Sequence, residues 1–353
     1  MEHVSTVLER TLSALPPAPA QGAEVLPLKR TRTLPDLVEQ FEEEEEQHNP
    51  DAVVPLSQLR ATPEGLIDVP GAGACALTDW SQRQMASLLG FRPHRWFENA
   101  SPQDRADELH RRLARASGDV RARTTRALDT GVEADATLRA LVTPGYSPVE
   151  DGQVGRLVIA ALRHVDGEMK LIRVDVTDRS TSFVVAVGRP YKIGGDGQIG
   201  DVWGGLMVRN SGVGFASLLM VAHLVRLVCR NGMICPIADS VLLRRRHRAI
   251  DDSRLRWQLA DRLEQLPGML RHAGEVLRES AARPVENVEA TVRAILDQAR
   301  LPQRLVAPIL QAHAVEPLPG AFGVSQAVTR AAQLFSPEER LELEQAAGAY
   351  LRQ

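Results

Sequence analysis

A chain of 353 residues, 44% hydrophobic and 25% charged, holds enough apolar material for a substantial core in one large domain or two smaller ones. Its net charge of −3 excludes a global pull towards nucleic acid or membrane, so any electrostatic function must come from local segregation. No stretch reads as a signal peptide or spanning helix, because the longest apolar run, Phe215 to Cys229, is broken by His223 and Arg226. Cys75, Cys229 and Cys235 cannot form a disulfide framework and lack zinc-ligand spacing. They read as reduced core thiols of a cytoplasmic protein that needs no metal or cofactor and no membrane.

Residues 1–51 read as a disordered, acidic lead. Pro16-Pro17-Ala18-Pro19-Ala20 and the run Glu42 to Glu46 bury too little surface to offset chain entropy. The acidic run could cover a basic site by imitating nucleic-acid charge, but a solvated tail is the plainer reading. A core domain follows over residues 52–250. Thr78 caps a helix that ends at Gly90, and Ser101-Pro102 opens a second. Arg121, Arg123 and Arg126 form a basic cluster.

From Leu138 the pattern turns to short β-type runs. Leu138 to Thr143 is a strand, and Leu157 to Val165 is another, joined through Asp166-Gly167 to Met169–Val176. Thr181 to Val187 and Val202 to Val208 follow, with the glycine-rich loop 194–200 between them. Neighbouring strands with short turns predict a central antiparallel β-meander. After Gly214 the spacing of His223, Arg226 and Arg230 predicts a helix lying on that sheet, and Val241 to Leu243 adds a strand.

Residues 251–353 read as a helical region. Pro267 separates Ser253–Leu266 from Gly268–Ala282, Pro284 starts a helix through Arg300, another follows Pro302, and Ser336-Pro337 starts the last. The expected class is α+β: the meander backed by a helix, a helical N-terminal subregion and a helical C-terminal part.

No Ser/His/Asp or Cys/His constellation can be argued. The glycine loop lacks the Gly-Lys-Ser/Thr ending of a phosphate loop and reads as a hairpin connection. Glu168-Met169-Lys170, with Asp151 upstream, has the spacing some magnesium-dependent nucleases use, although charges also commonly flank turns. Basic residues are the remaining signal. All but Lys29, Lys170 and Lys192 are arginine, which suits bidentate phosphate contacts but equally follows from a GC-rich coding bias. Arg226, Arg230, Arg244, Arg245, Arg246 and Arg248 are the candidate phosphate ligands, with Arg121 and Arg123 second. Aromatic residues make up only 4%, and Trp203, Tyr191 and Trp257 are the candidate base stackers, although each could be core.

Asn210-Ser211-Gly212-Val213-Gly214, followed by Arg226-Leu227-Val228-Cys229-Arg230-Asn231-Gly232-Met233, resembles the signature of a phage- and plasmid-borne family known as domain of unknown function 932. Leu77 to Trp80 with Gln84 resembles that family's early helix, and Val142 to Tyr146 its strand ending. Gly212 departs from the pattern, since members of that family usually carry glutamate there. The resemblance implies a DNA transaction on mobile elements. A sheet backed by a helix is also similar to the core of phage single-strand annealing recombinases of the Red-beta class. The leading expectation is a homo-oligomeric protein that binds and anneals single-stranded DNA in recombination. A non-enzymatic interaction or assembly factor is the alternative, and a nuclease centred on Glu168 and Lys170 is third.

Overall fold

The computed structural model describes residues 33–90, 100–128, 133–163, 168–192, 201–226, 231–234, 240–248 and 252–353. It is α+β, and it carries two sheets rather than one. The first helix, α1 (Leu34–Glu45), is capped reciprocally: Asp36 N–H donates to the Thr33 hydroxyl, and Thr33 N–H donates to the Asp36 carboxylate. Leu34, Leu37 and Phe41 form its apolar stripe and are buried in the main core. The acidic run is therefore the end of a docked helix and not a solvated tail, with Glu42 paired to Arg156. Residues 33–51 depart from the expected disordered lead, whereas 1–32 lie outside the described residues.

The first sheet comprises β1 (Ala52–Pro55), β2 (Arg60–Ala61), β3 (Ile67–Val69), β4 (Gly73–Leu77), β5 (Asp119–Arg126) and β6 (Ala136–Val142). Their order is β1-β5-β6-β4-β3-β2, antiparallel except where β4 runs parallel to β6. Helices α2 (Asp79–Leu88) and α3 (Pro102–Leu113) start at Thr78 and Ser101 as expected, each hydroxyl accepting a backbone N–H three residues on. They pack Met85, Leu109 and Leu113 against the sheet. The N-terminal subregion is thus a sheet with two helices and not a helical unit. Gly90 stands just past α2 at φ +72°, a conformation that favours glycine.

Helix α4 (Asp151–Leu162) replaces the strand expected over Leu157 to Val165. Val154, Leu157, Val158 and Leu162 recur at helical spacing and bury one face in the main core. The second sheet then follows as β7 (Glu168–Val176), β8 (Thr181–Gly188), β9 (Tyr191–Lys192), β10 (Asp201–Asn210), β11 (Leu218–Arg226), β12 (Asn231–Ile234) and β13 (Val241–Arg245), all antiparallel. Here the helix expected after Gly214 is strand β11, paired on one side with β10 and on the other with β12 and β13. All nine of its residues are buried because both faces of the sheet are covered, so polar alternation could not reveal it.

One face packs on α1, α4 and α5 (Asp252–Ala282), which continues through Pro267 rather than breaking there. Leu255, Leu259, Leu263, Leu266, Leu270, Ala273 and Leu277 make an unbroken stripe along α5, and that burial outweighs the hydrogen bond proline removes. Helices α6 (Val288–Ala299, capped by Asn287), α7 (Val306–Val315), α8 (Gly320–Ala332) and α9 (Pro337–Leu351) build a second helical core.

The opposite sheet face meets α9. Glu344 of α9 is fully buried and takes Arg173 Nη1 at 2.7 Å and His223 Nε2 at 3.2 Å. Arg340 adds a pair with Asp175 at 2.9 Å. Burial alone would raise the Glu344 carboxyl, but Arg173 and His223 outweigh it and hold the pKa near 2. Replacing Glu344 with Gln removes one of two carboxylates beside Arg173 and leaves Asp175 at 3.2 Å, so we expect a loss of about 1.5–3 kcal/mol in urea unfolding. Because the folded pKa lies below the ordinary 4.5, this stabilisation is present above pH 4.5 and is lost as pH falls towards 2. An unchanged urea midpoint in the variant would contradict the clamp.

Candidate nucleic-acid interface

The segment Asn210 to Gly214 ends β10 and joins the two sheets. Asn210 Nδ2 donates to Val149 O at 2.8 Å and to Asp151 Oδ1 at 2.7 Å. Ser211 Oγ donates to Arg179 O at 2.7 Å and accepts from Phe215 N at 3.0 Å. Tyr146 OH donates to Ser211 O at 2.7 Å, while Trp80 Nε1 and Gln84 Nε2 both donate to Val213 O, at 2.9 and 3.0 Å. Gly214 has φ +81°, and a Cβ there would stand 2.9 Å from Val142 Cγ1. Residues far apart in the chain thus converge on one loop.

Behind it lies a buried ionic knot. Arg123, 4% exposed, pairs with Asp51 at 3.1 Å and with Glu150, and donates to Gly212 O. A Cβ at Gly212 would face Arg123 Nη1 at 3.1 Å and Glu150 Oε2 at 3.4 Å, so Glu150 already supplies a carboxylate beside this position. Burial, with the charges of Arg139 and Arg123, pushes His48 down to about 3. Its Nδ1 therefore accepts from Arg139 Nη1 at 3.0 Å as a neutral ring. Glu45 Oε1 accepts from Gly152 N at 2.6 Å. Burial, helped by Glu150 and Asp151, raises the Glu45 carboxyl to about 7, and burial also raises Asp151.

In front of the loop runs a groove of three adjoining hollows. The first, about 540 Å³, lies between the sheets and includes Tyr146, Phe215, Arg246 and Arg248. The second, about 330 Å³, lies under α9 and shares Phe215 and Ser217 with the first. The third, about 570 Å³, shares Arg244, Glu342 and Gln345 with the second and reaches Arg300 and Arg352. Among the described residues, six arginines line this course (Arg209, Arg244, Arg246, Arg248, Arg300 and Arg352) against three carboxylates, Asp119, Glu338 and Glu342. The excess is local, since the whole chain is slightly acidic.

Arg209 and Arg244 both pair across strands with Leu219 and so occupy one row on the face beneath α9, their Cα atoms about 10 Å apart. Burial and the neighbouring Arg244 charge lower the Arg209 pKa, against the pull of Glu338 and Glu342. No described carboxylate forms an ion pair with Arg209, Arg244, Arg246 or Arg248.

The structure sorts the expected ligands accordingly. Arg244, Arg246 and Arg248 are exposed on the groove. Arg245 turns to the other face and bonds Gln258, because successive strand residues alternate. Arg226 is 6% exposed and paired with Glu316, which Arg330 shares, so it holds the fold and is not available to phosphate. Arg123 is spent in the knot, and Arg121 donates to Pro144 O at 2.8 Å near Asp51. Arg230 lies outside the described residues, as does the glycine loop 194–200.

Trp203 is buried beneath Lys170, Trp257 is 68% exposed, and the Tyr191 side chain lies outside the description. Glu168 pairs with Lys170 at 3.2 Å at one end of β7, whereas Asp151 bonds Thr181, opposite Val176 at the other end. Roughly 25 Å therefore separates these carboxylates, and they cannot share a metal ion.

The groove also takes in Arg209, Arg300 and Arg352, which no sequence pattern marks. Each is an isolated arginine, and only the tertiary arrangement lines them up. No family model matches the chain, and no curated protein or solved structure matches it either.

The raised Glu45 carboxyl makes a pH prediction. Its folded pKa of about 7 exceeds the ordinary 4.5, so the folded state holds an extra proton in between. Its contribution is complete below pH 4.5 and disappears as pH rises through 7. Urea midpoints at pH 5 and pH 8 are expected to differ less for Glu45→Gln than for the unaltered protein. Asp151 shifts in the same direction, so the slope is reduced without being abolished.

Proposed function

We propose that the protein binds single-stranded nucleic acid along the inter-sheet groove and performs no covalent chemistry on it. The observation that carries this reading is the continuous course of Arg248, Arg246, Arg209 and Arg244 with no ion-pair partner among the described residues. Guanidiniums that line a half-enclosed channel without forming ion pairs favour a polyanion that brings its own charges. Each hollow, at about 330–570 Å³, has the size of a small-ligand site, which suits an extended strand entering nucleotide by nucleotide. Annealing in recombination is the cellular role this supports together with the sequence resemblance, with several copies laid along one strand so that short contacts add up.

Fluorescence anisotropy with a short labelled oligodeoxynucleotide, titrated against salt, tests the reading. Substituting Arg244, Arg246 and Arg248 with Ala should weaken binding by roughly ten- to a hundredfold and lower the slope of log affinity against log salt by about 2. Glu338→Gln with Glu342→Gln should tighten binding, since both carboxylates line the same channel. Arg156→Ala, on α4 across the second sheet from α9, should change nothing. Equal binding by the triple variant would remove the groove as the interface.

A further inference from the structure

We infer that the inter-sheet end of this groove is a nucleobase pocket that favours a guanine edge, with Asp119 accepting from it. The inference rests on the strand-binding reading of the same groove. The hollow of about 540 Å³ falls within the size of ordinary small-ligand sites, roughly 300–1,000 Å³. Its aromatic wall is fixed: Tyr146 stacks on His247 at 5.2 Å and 27°, and Trp80 holds Phe215 edge-on at 5.1 Å and 84°. Gln84 braces the same wall, its Oε1 accepting from Leu141 N at 2.9 Å while its Nε2 bonds Val213 O. A base lying against such a wall gains stacking without ordering a loose side chain.

Arg246 and Arg248 line the same hollow and supply its positive charge for the phosphates of an inserted nucleotide. Asp119 also lines it, is exposed, and forms no ion pair with a described residue. A carboxylate in a cationic channel opposes backbone phosphate, so its place is explained by an N–H-bearing base edge. Guanine offers N1–H and the N2 amino group side by side, a fork that matches the two carboxylate oxygens. Thymine has one such donor, and inosine lacks the amino group.

The test compares labelled oligothymidylates carrying one central guanine, inosine or abasic site. Guanine is expected to bind about tenfold tighter than inosine, the scale of one bidentate base contact. Asp119→Asn should erase that difference while leaving the salt slope unchanged; Asp119 is exposed at the start of β5, so the variant keeps the fold. If the three oligonucleotides bind alike with their salt dependence intact, the pocket is overturned and the groove stands. A guanine preference that survives Asp119→Asn also overturns it. If no oligonucleotide binds at low salt, both readings fall together.

Discussion

Arg123 carries a full positive charge into the junction of the two sheets, and its surroundings keep it charged. Burial would lower its pKa, but Glu150 and Asp51 outweigh burial and raise it. The same side chain reaches the carbonyl of Gly212, so one residue of β5 holds Asp51 ahead of β1, Glu150 ahead of α4 and the loop that ends β10. Taking away one member of such a set leaves the others charged, buried and unmatched, which costs more than the pairs contribute over an apolar filling. The position of Gly214 and Tyr146, and with them the wall of the first hollow, follows from this arrangement.

The second sheet has a comparable device on its far side. The row of Asp175, Ser182, Arg209, Leu219 and Arg244 crosses five strands, and α9 settles over it with Arg340 on Asp175 and Glu344 on the neighbouring Arg173. Cations towards Asp175 form ion pairs, whereas Arg209 and Arg244 at the other end form none with a described residue, although Glu338 and Glu342 act on Arg209. The difference between a structural arginine and an available one is set by where along this row the helix places its carboxylates.

What could be read from the sequence was what is fixed locally. Thr78, Ser101 and Ser336 cap their helices through bonds spanning three residues, and β8 and β10 lie where their apolar runs put them. What failed depended on partners distant in the chain. The apolar residues of α4 and β11 suit either period, and only packing on both sides of a sheet decides between them. Helix α1 looked too charged to fold until its four buried apolar residues found α4. Among the arginines, density along the chain was a poor guide. Arg244 to Arg248 contributed three of the groove cations, while Arg226 and Arg123 turned out to be bound to Glu316, Asp51 and Glu150.

The groove's cations sit on a molecule whose total charge is negative. At physiological ionic strength the field of a few guanidiniums fades within about 8 Å, so an approaching polyanion feels weak repulsion from the whole and attraction only on contact. Arrival is then governed by diffusion and orientation, with little electrostatic guidance. Ionic strength acts mainly on how long an occupant stays.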